Sequence, residues 1–255
     1  MIYILQAAGT FGSPGIVITA PVSGTIRKVS KLKYSYYMNV CTHSYSSSWW
    51  DWKRWEREID WMALNGINLP LAFTGLEYVT KKVFKEFNFT DEELRNWFTG
   101  PAFTAWYRMG NINSWGGPMP EEWINHQHDL QLKILERERE YGMTPVLSMF
   151  TGYVPATFQK HFPNANITIG YDWAHFPEDC RTYMLEVTDP LFNQIAKKFI
   201  EIQTEVYNTS HIYNGDVYNE MVPRTNDTEY LKASVPLHRS GCFLPRHICQ
   251  DQHTA

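Results

Sequence analysis

The sequence holds only four cysteines, Cys41, Cys180, Cys242 and Cys249, with no CxxC pair and no histidine at zinc-ligand spacing, which argues against a structural zinc site. One or two disulfides stay open. A surplus of positive charge is also missing: 23 Lys and Arg stand against 27 Asp and Glu, a net charge of -4, so no basic field awaits a nucleic acid. No run approaches the ~18 apolar residues of a membrane span. Met1 to Ala8 is apolar but lacks the basic start and the length of a signal peptide. Gly9 to Gly15 has neither the preceding strand nor the lysine of a phosphate loop, and His126 and His128, two apart on a helix, point about 200° from each other. Neither metal nor cofactor is expected.

What is present is apolar and aromatic. Of the 255 residues 44% are hydrophobic and 15% aromatic, which excludes a disordered chain, and the length suits about one to two ordinary domains or a single compact barrel. Ten Trp and 15 Tyr offer flat faces for sugar rings, although most such rings fill core. Four Asn-x-Ser/Thr sequons, at Asn88, Asn166, Asn208 and Asn226, fit a secreted or lysosomal glycoprotein.

Residues 1–33 read as the remnant of an upstream region and stay unassigned. From Tyr34 strands and helices alternate. Tyr36 to Cys41 reads as a strand, and Trp52, Trp55, Ile59 and Met62 then fall on one helical face that ends near Asn65-Gly66. Ile67 to Phe73 is a second strand, followed by the helical stripe Leu76, Val79, Val83, Phe87 and by a capping box at Thr90. Thr99 to Pro120 reads as a long irregular loop, of the length that usually serves function. Glu121 to Tyr141 is an amphipathic helix with Trp123, Leu130 and Ile134 inward, Pro145 to Phe150 is the third strand, and Asp189-Pro190 starts a helix carrying Leu191, Ile195, Phe199, Ile202 and Val206. His211 to Val217 is the fourth strand.

Four strand and helix units imply parallel pairing, and the α/β fold that fits is a (β/α)₈ TIM-barrel type with about its first half present. Residues 34–231 form that partial catalytic domain. Residues 232–255, with no apolar periodicity, read as a divergent, non-native or disordered tail, and half a barrel would expose a sheet edge. The chain is therefore expected to be incomplete.

Glu220, in Tyr218-Asn219-Glu220-Met221, follows the fourth strand, and barrel enzymes keep their chemistry at strand C-terminal ends. A carboxylic acid there can protonate a glycosidic oxygen while the neighbouring Asn219 amide binds a sugar hydroxyl. The pair suggests a glycoside hydrolase.

Longer segments carry a resemblance. Tyr36 to Ser46, Trp49-Trp50-Asp51-Trp52, Trp55 to Asn68, Phe98 to Phe103, Arg108-Met109-Gly110-Asn111, Gly142 to Leu147 and Asn219-Glu220-Met221 are similar to the barrel domain of α-N-acetylglucosaminidases, from about Tyr34 to about Leu231. The resemblance implies a lysosomal or secreted retaining exo-glycosidase that removes terminal α-linked N-acetylglucosamine, in animals from heparan sulfate. It implies Glu220 as general acid/base and a sugar pocket of Asn39, Cys41, Trp106, Met109, Trp173 and Asn219, with Asn166 as a glycosylated sequon. It also implies a full-length protein that self-associates. On the bottom-up reading Asn39 donates and accepts to sugar hydroxyls, and Trp106 and Trp173, both in expected loops, offer faces to a pyranose ring. Trp52 and Trp55 read as core, and Cys41 as a small apolar residue rather than a thiolate.

A retaining glycosidase needs a second carboxylate about 5 Å from the first. The resemblance implies that it comes from a later strand. Asp216, four residues back on the same strand, lies about 13 Å away at the usual rise and cannot serve; Asp172 and Glu77 fit at best an inverting geometry. The chain alone is accordingly expected to be inactive, and the alternative is a truncated, non-catalytic isoform that binds carbohydrate weakly.

Overall fold

The computed structural model describes residues 31–231 except Asp216, so the expectations for residues 1–30, 232–255, Asp216 and the Cys242 and Cys249 thiols lie outside the described residues. In chain order the elements are β1 (Tyr36–Tyr37), a π-helical turn (His43–Ser47), α1 (Trp52–Leu64), β2 (Leu69–Pro70), α2 (Leu76–Glu86), α3 (Asp91–Trp97), a 3₁₀ turn (Pro101–Phe103), α4 (Thr104–Arg108) and α5 (Glu121–Glu140). Then follow β3 (Leu147–Ser148), β4 (Tyr153–Val154), α6 (Phe158–His161), β5 (Ile167–Ile169), a 3₁₀ turn (Glu178–Cys180), β6 (Tyr183–Leu185), α7 (Pro190–Tyr207) and β7 (Tyr213–Asn214).

β1 pairs parallel with β2, a parallel bridge from Leu71 to Val146 joins β2 to β3, and β3 pairs parallel with β7. The order β1-β2-β3-β7 follows the sequence, as neighbouring staves of a barrel do. Each strand is shorter than its apolar run suggested. Only two residues keep regular pairing, while single bonds such as Leu71 N to Tyr37 O, 2.7 Å, and Met149 N to Asn214 O, 3.0 Å, continue the staircase toward the C-terminal ends.

Between β3 and β7 the chain makes an excursion that the sequence did not announce: β4, β5 and β6 form an antiparallel sheet in the order β4-β6-β5. The stretch expected as an irregular loop over Thr99 to Pro120 likewise contains α4. Its aromatic and Thr residues fold into a single helical turn whose amphipathic period is too short to register.

The helices form for legible reasons. Asp51 accepts from Arg54 N to start α1, Thr90 and Glu93 complete their capping box on α3, and Asp189 accepts from Leu191 N with Pro190 next on α7. α1 lays Trp55, Ile59 and Met62 on Leu130 and Ile134 of α5, and each such buried side chain is worth about 1.5–3 kcal/mol. The main core lies between α2 and α7, where the fully buried Phe84 ring meets Phe89, Trp97, Phe150 and Phe158. Trp55 is core, as its stripe predicts, while Trp52 and Trp123 are only partly covered. Among the described residues no helix is long and apolar enough to cross a membrane, and no three His, Cys, Asp or Glu side chains converge as metal ligands.

Glu138 breaks the amphipathic logic of α5. It is fully buried, and neither carboxyl oxygen has a hydrogen-bond partner among the described residues. Burial pushes its carboxyl well above the ordinary range, against a smaller opposite pull from Arg139. A raised folded pKa means that the folded state binds the proton more tightly, so stability falls as pH climbs past the unfolded value of about 4.3 toward the folded one. Glu138→Gln is expected to match the unmodified chain near pH 4 and to exceed it at pH 7 by about 1–3 kcal/mol, read as urea midpoints at the two pH values. Equal midpoints at both pH values would refute an uncompensated buried charge.

Candidate active site

The residues singled out from sequence follow β1 and β7, lie on α4 and at its end, and stand in the segment after β5. Asn39 and Cys41 follow β1. The Asn39 amide oxygen is engaged locally, accepting from Thr42 N at 3.0 Å and Thr42 Oγ1 at 2.7 Å. Cys41 is a free, half-buried thiol whose Sγ lies 3.7 Å from Sδ of the buried Met109, which joins the first strand end to the end of α4. Cys180 is also free, and buried.

Trp106 lies on α4 rather than in a loop, and its ring stands 6.5 Å from that of Trp173. The Trp173 indole N–H donates to Glu220 Oε2 at 3.2 Å. Sulfur pair, indole pair and acid thus come from four distant stretches of chain. Asn219 joins them through its backbone, whose carbonyl accepts from Asn111 Nδ2 at 2.7 Å.

Five rings close a circuit that the sequence did not reveal. Trp106 contacts Trp173, Trp173 stacks on Phe176 at 5.8 Å, Phe176 meets Trp115 edge-on at 5.2 Å, and Phe103 touches both Trp115 and Trp106. Tyr45, largely exposed, adds its edge to Trp106. These partners sit in irregular segments, where no periodicity marks them. Gly116 supports the circuit: its φ is +70°, and a Cβ there would press the Phe103 ring at 3.3 Å.

Glu220 itself is exposed and has φ of +52°, the left-handed region that a non-glycine residue occupies at a cost of roughly 1–2 kcal/mol. It lies six residues past β7, in a turn rather than at the strand tip. Such backbone strain persists where surrounding contacts over-determine the conformation.

Beneath the site Arg108 binds Glu77 through two bonds of 2.8 Å, with both side chains almost fully buried, and donates to Thr74 O at 3.3 Å. Glu77 is therefore a structural anion. Asp172 is paired with His175 at 3.3 Å on the surface. His43 shares a small cavity with Asn39 and Arg108; burial, and then the Arg108 charge, hold its imidazole well below the ordinary range, so it is neutral. The four sequon asparagines, Asn166 among them, are exposed.

Residues 35–236 match the family described as the alpha-N-acetylglucosaminidase (NAGLU) tim-barrel domain. Human alpha-N-acetylglucosaminidase is 45% identical over 216 residues, which cover 84% of this chain and 29% of the human protein. Family 89 glycoside hydrolase from Clostridium perfringens, solved with 2-acetamido-1,2-dideoxynojirmycin and with PUGNAc, superposes with a TM-score of 0.75 at 30% identity, covering 82% of this chain and 24% of that one. A Clostridium perfringens form with two glutamates replaced by glutamine, in complex with its substrate GlcNAc-alpha-1,4-galactose, matches equally well. The chain thus spans less than a third of the length of these relatives. It belongs to the alpha-N-acetylglucosaminidase family and carries part of that family's TIM-barrel domain.

Proposed function

We propose that this chain carries the acid-bearing sugar site of an α-N-acetylglucosaminidase, which removes terminal α-linked N-acetylglucosamine with retention, heparan sulfate being the polymer attacked in a lysosomal or secreted setting. One observation carries the reading: the 3.2 Å bond from Trp173 to Glu220, beside the Trp106 ring, puts an acid against an aromatic wall of the kind that covers a pyranose. Glu220 protonates the departing glycosidic oxygen. Trp106 and Trp173 cover the sugar face, the Asn39 and Asn219 amides bind hydroxyl or acetamido groups, and Cys41 over Met109 offers a soft apolar floor to the acetyl methyl.

Retention requires a second carboxylate about 5 Å from the acid. Glu77 is committed to Arg108 and Asp172 to His175, so neither is assigned that role. This favours, as second reading, a chain that binds N-acetylglucosamine without turning it over.

The test is incubation of the 255-residue chain with GlcNAc-alpha-1,4-galactose, followed by proton NMR of the released sugar and by tryptophan fluorescence. First release of the α-anomer would show a complete retaining site, against the expectation that this chain alone is inactive. First release of the β-anomer would replace retention by inversion. Saturable binding of N-acetylglucosamine, weakened by Trp173→Ala and unaccompanied by release, assigns the binding reading instead; no binding and no release would overturn both.

A further inference from the structure

The segment carrying Glu220 is held from behind by a carboxylate that takes no part in the sugar wall. Glu186, the residue that follows β6, is 2% exposed. Its Oε1 accepts from Thr168 Oγ1 and from Arg224 Nη1 at 3.2 Å, and its Oε2 accepts from Tyr230 OH at 2.9 Å. Tyr230 OH in turn lies 3.2 Å from Tyr218 OH, and the Arg224 guanidinium sits over the Tyr230 ring. Burial, and then the bonds to Tyr218 and Glu186, push the Tyr230 phenol upward, so it stays a neutral donor. Tyr218 precedes the acid by two residues and Arg224 follows it by four. One buried carboxylate therefore grips both flanks of Glu220.

The grip has something to hold. Between this segment and the β4-β6-β5 sheet lies a cavity of about 250 Å³, lined by Tyr153, Met184, Tyr218 and Met221 among others. Close apolar packing does not fix the segment across that gap, which leaves directional polar bonds to do so. Glu220 also sits at φ +52°, a conformation that relaxes unless its flanks are pinned. Two further bonds, Tyr153 OH to Val217 O at 2.6 Å and Asn111 Nδ2 to Asn219 O, secure the near side.

We propose that Glu186 is a positioning residue for Glu220, acting through Tyr230, Tyr218 and Arg224 to keep the acid against the Trp173 indole. This rests on Glu220 as the acid, but its test needs no turnover. The indole N–H signal of Trp173, identified by its loss in Trp173→Phe, is followed against pH in the ¹⁵N-labelled chain; Glu220→Gln identifies the part of the response that comes from the acid by removing it. In Glu186→Gln, and in Arg224→Gln where the altered side chain is half exposed, that response is expected to shrink about threefold or more, the population change that one net hydrogen bond supports. Tyr230→Phe, which keeps the ring and removes the hydroxyl, is expected to do the same.

A response unchanged in folded Glu186→Gln would overturn the proposal. If that variant fails to fold, unchanged responses in Arg224→Gln and Tyr230→Phe would do so. A reduced response in a chain that neither binds nor cleaves the sugar would leave the positioning role standing and remove the glycosidase reading, so the two fail separately.

Discussion

Replacing Arg108 by methionine is expected to destabilise the chain by about 3–5 kcal/mol, the usual consequence of removing one partner from a buried ion pair. The pair is well placed to show the full effect. Arg108 and Glu77 side chains are 2% and 4% exposed, and the guanidinium meets both carboxylate oxygens at 2.8 Å. Without it a carboxylate stays in the interior with no counter-charge, and Thr74 O loses a donor. The double variant Glu77→Met, Arg108→Met removes the stranded charge and should recover most of the loss, because the pair's attraction roughly offsets its desolvation cost. Urea unfolding of the four proteins closes the cycle; a single-variant loss under about 1 kcal/mol would mean that water reaches Glu77.

The effect should also reach the site. Arg108 ends α4, two residues after Trp106 and one before Met109, so its bond to α2 fixes the helix that presents both. Arg108 also depresses the neutral His43, and its loss should move the His43 titration upward, toward the ordinary imidazole range, as followed by NMR.

Much of this scaffold was legible before any coordinates, and the reason differs by element. Trp55, Ile59 and Met62, or Ile195, Phe199 and Ile202, repeat every three or four residues because one helix face must be buried, so the stripe survives in the sequence. The capping box at Thr90 is a local bond pattern and reads locally. The parallel order followed from strands separated by helices. β4, β5 and β6 stayed hidden because pairing over two or three residues leaves too few positions for a period of two.

The site divides along the same line. Glu220, Trp173, Trp106, Cys41 and Met109 were marked by the family resemblance, and the structure brings them into contact in pairs. Phe103, Trp115 and Phe176 were not marked, because each meets its partners across irregular segments that only the fold brings together. Glu186 gave no signal at all. In Leu185-Glu186-Val187 a lone acid between apolar residues says nothing of partners 18, 38 and 44 positions away.

Glu220→Gln is expected to lower hydrolysis of GlcNAc-alpha-1,4-galactose about 10²- to 10⁴-fold wherever this chain takes part in turnover, because a sugar alkoxide leaves poorly without a proton. Glutamine keeps the shape, and its amide oxygen still accepts from the Trp173 indole, so KM should change little while kcat falls. A 4-nitrophenyl leaving group departs as a stable anion and needs little acid help, so formation of the glycosyl-enzyme from that substrate should be nearly spared. The later hydrolysis step, for which the same residue turns general base, should stay slow and be rescued by azide, an anionic nucleophile that needs no deprotonation. Trp173→Phe keeps an aromatic side chain, smaller than the indole, and removes the N–H, and is expected to cost roughly tenfold, about the worth of one hydrogen bond. If Glu220→Gln slowed the sugar and nitrophenyl substrates equally and azide restored nothing, Glu220 would be a binding residue and the acid would lie elsewhere.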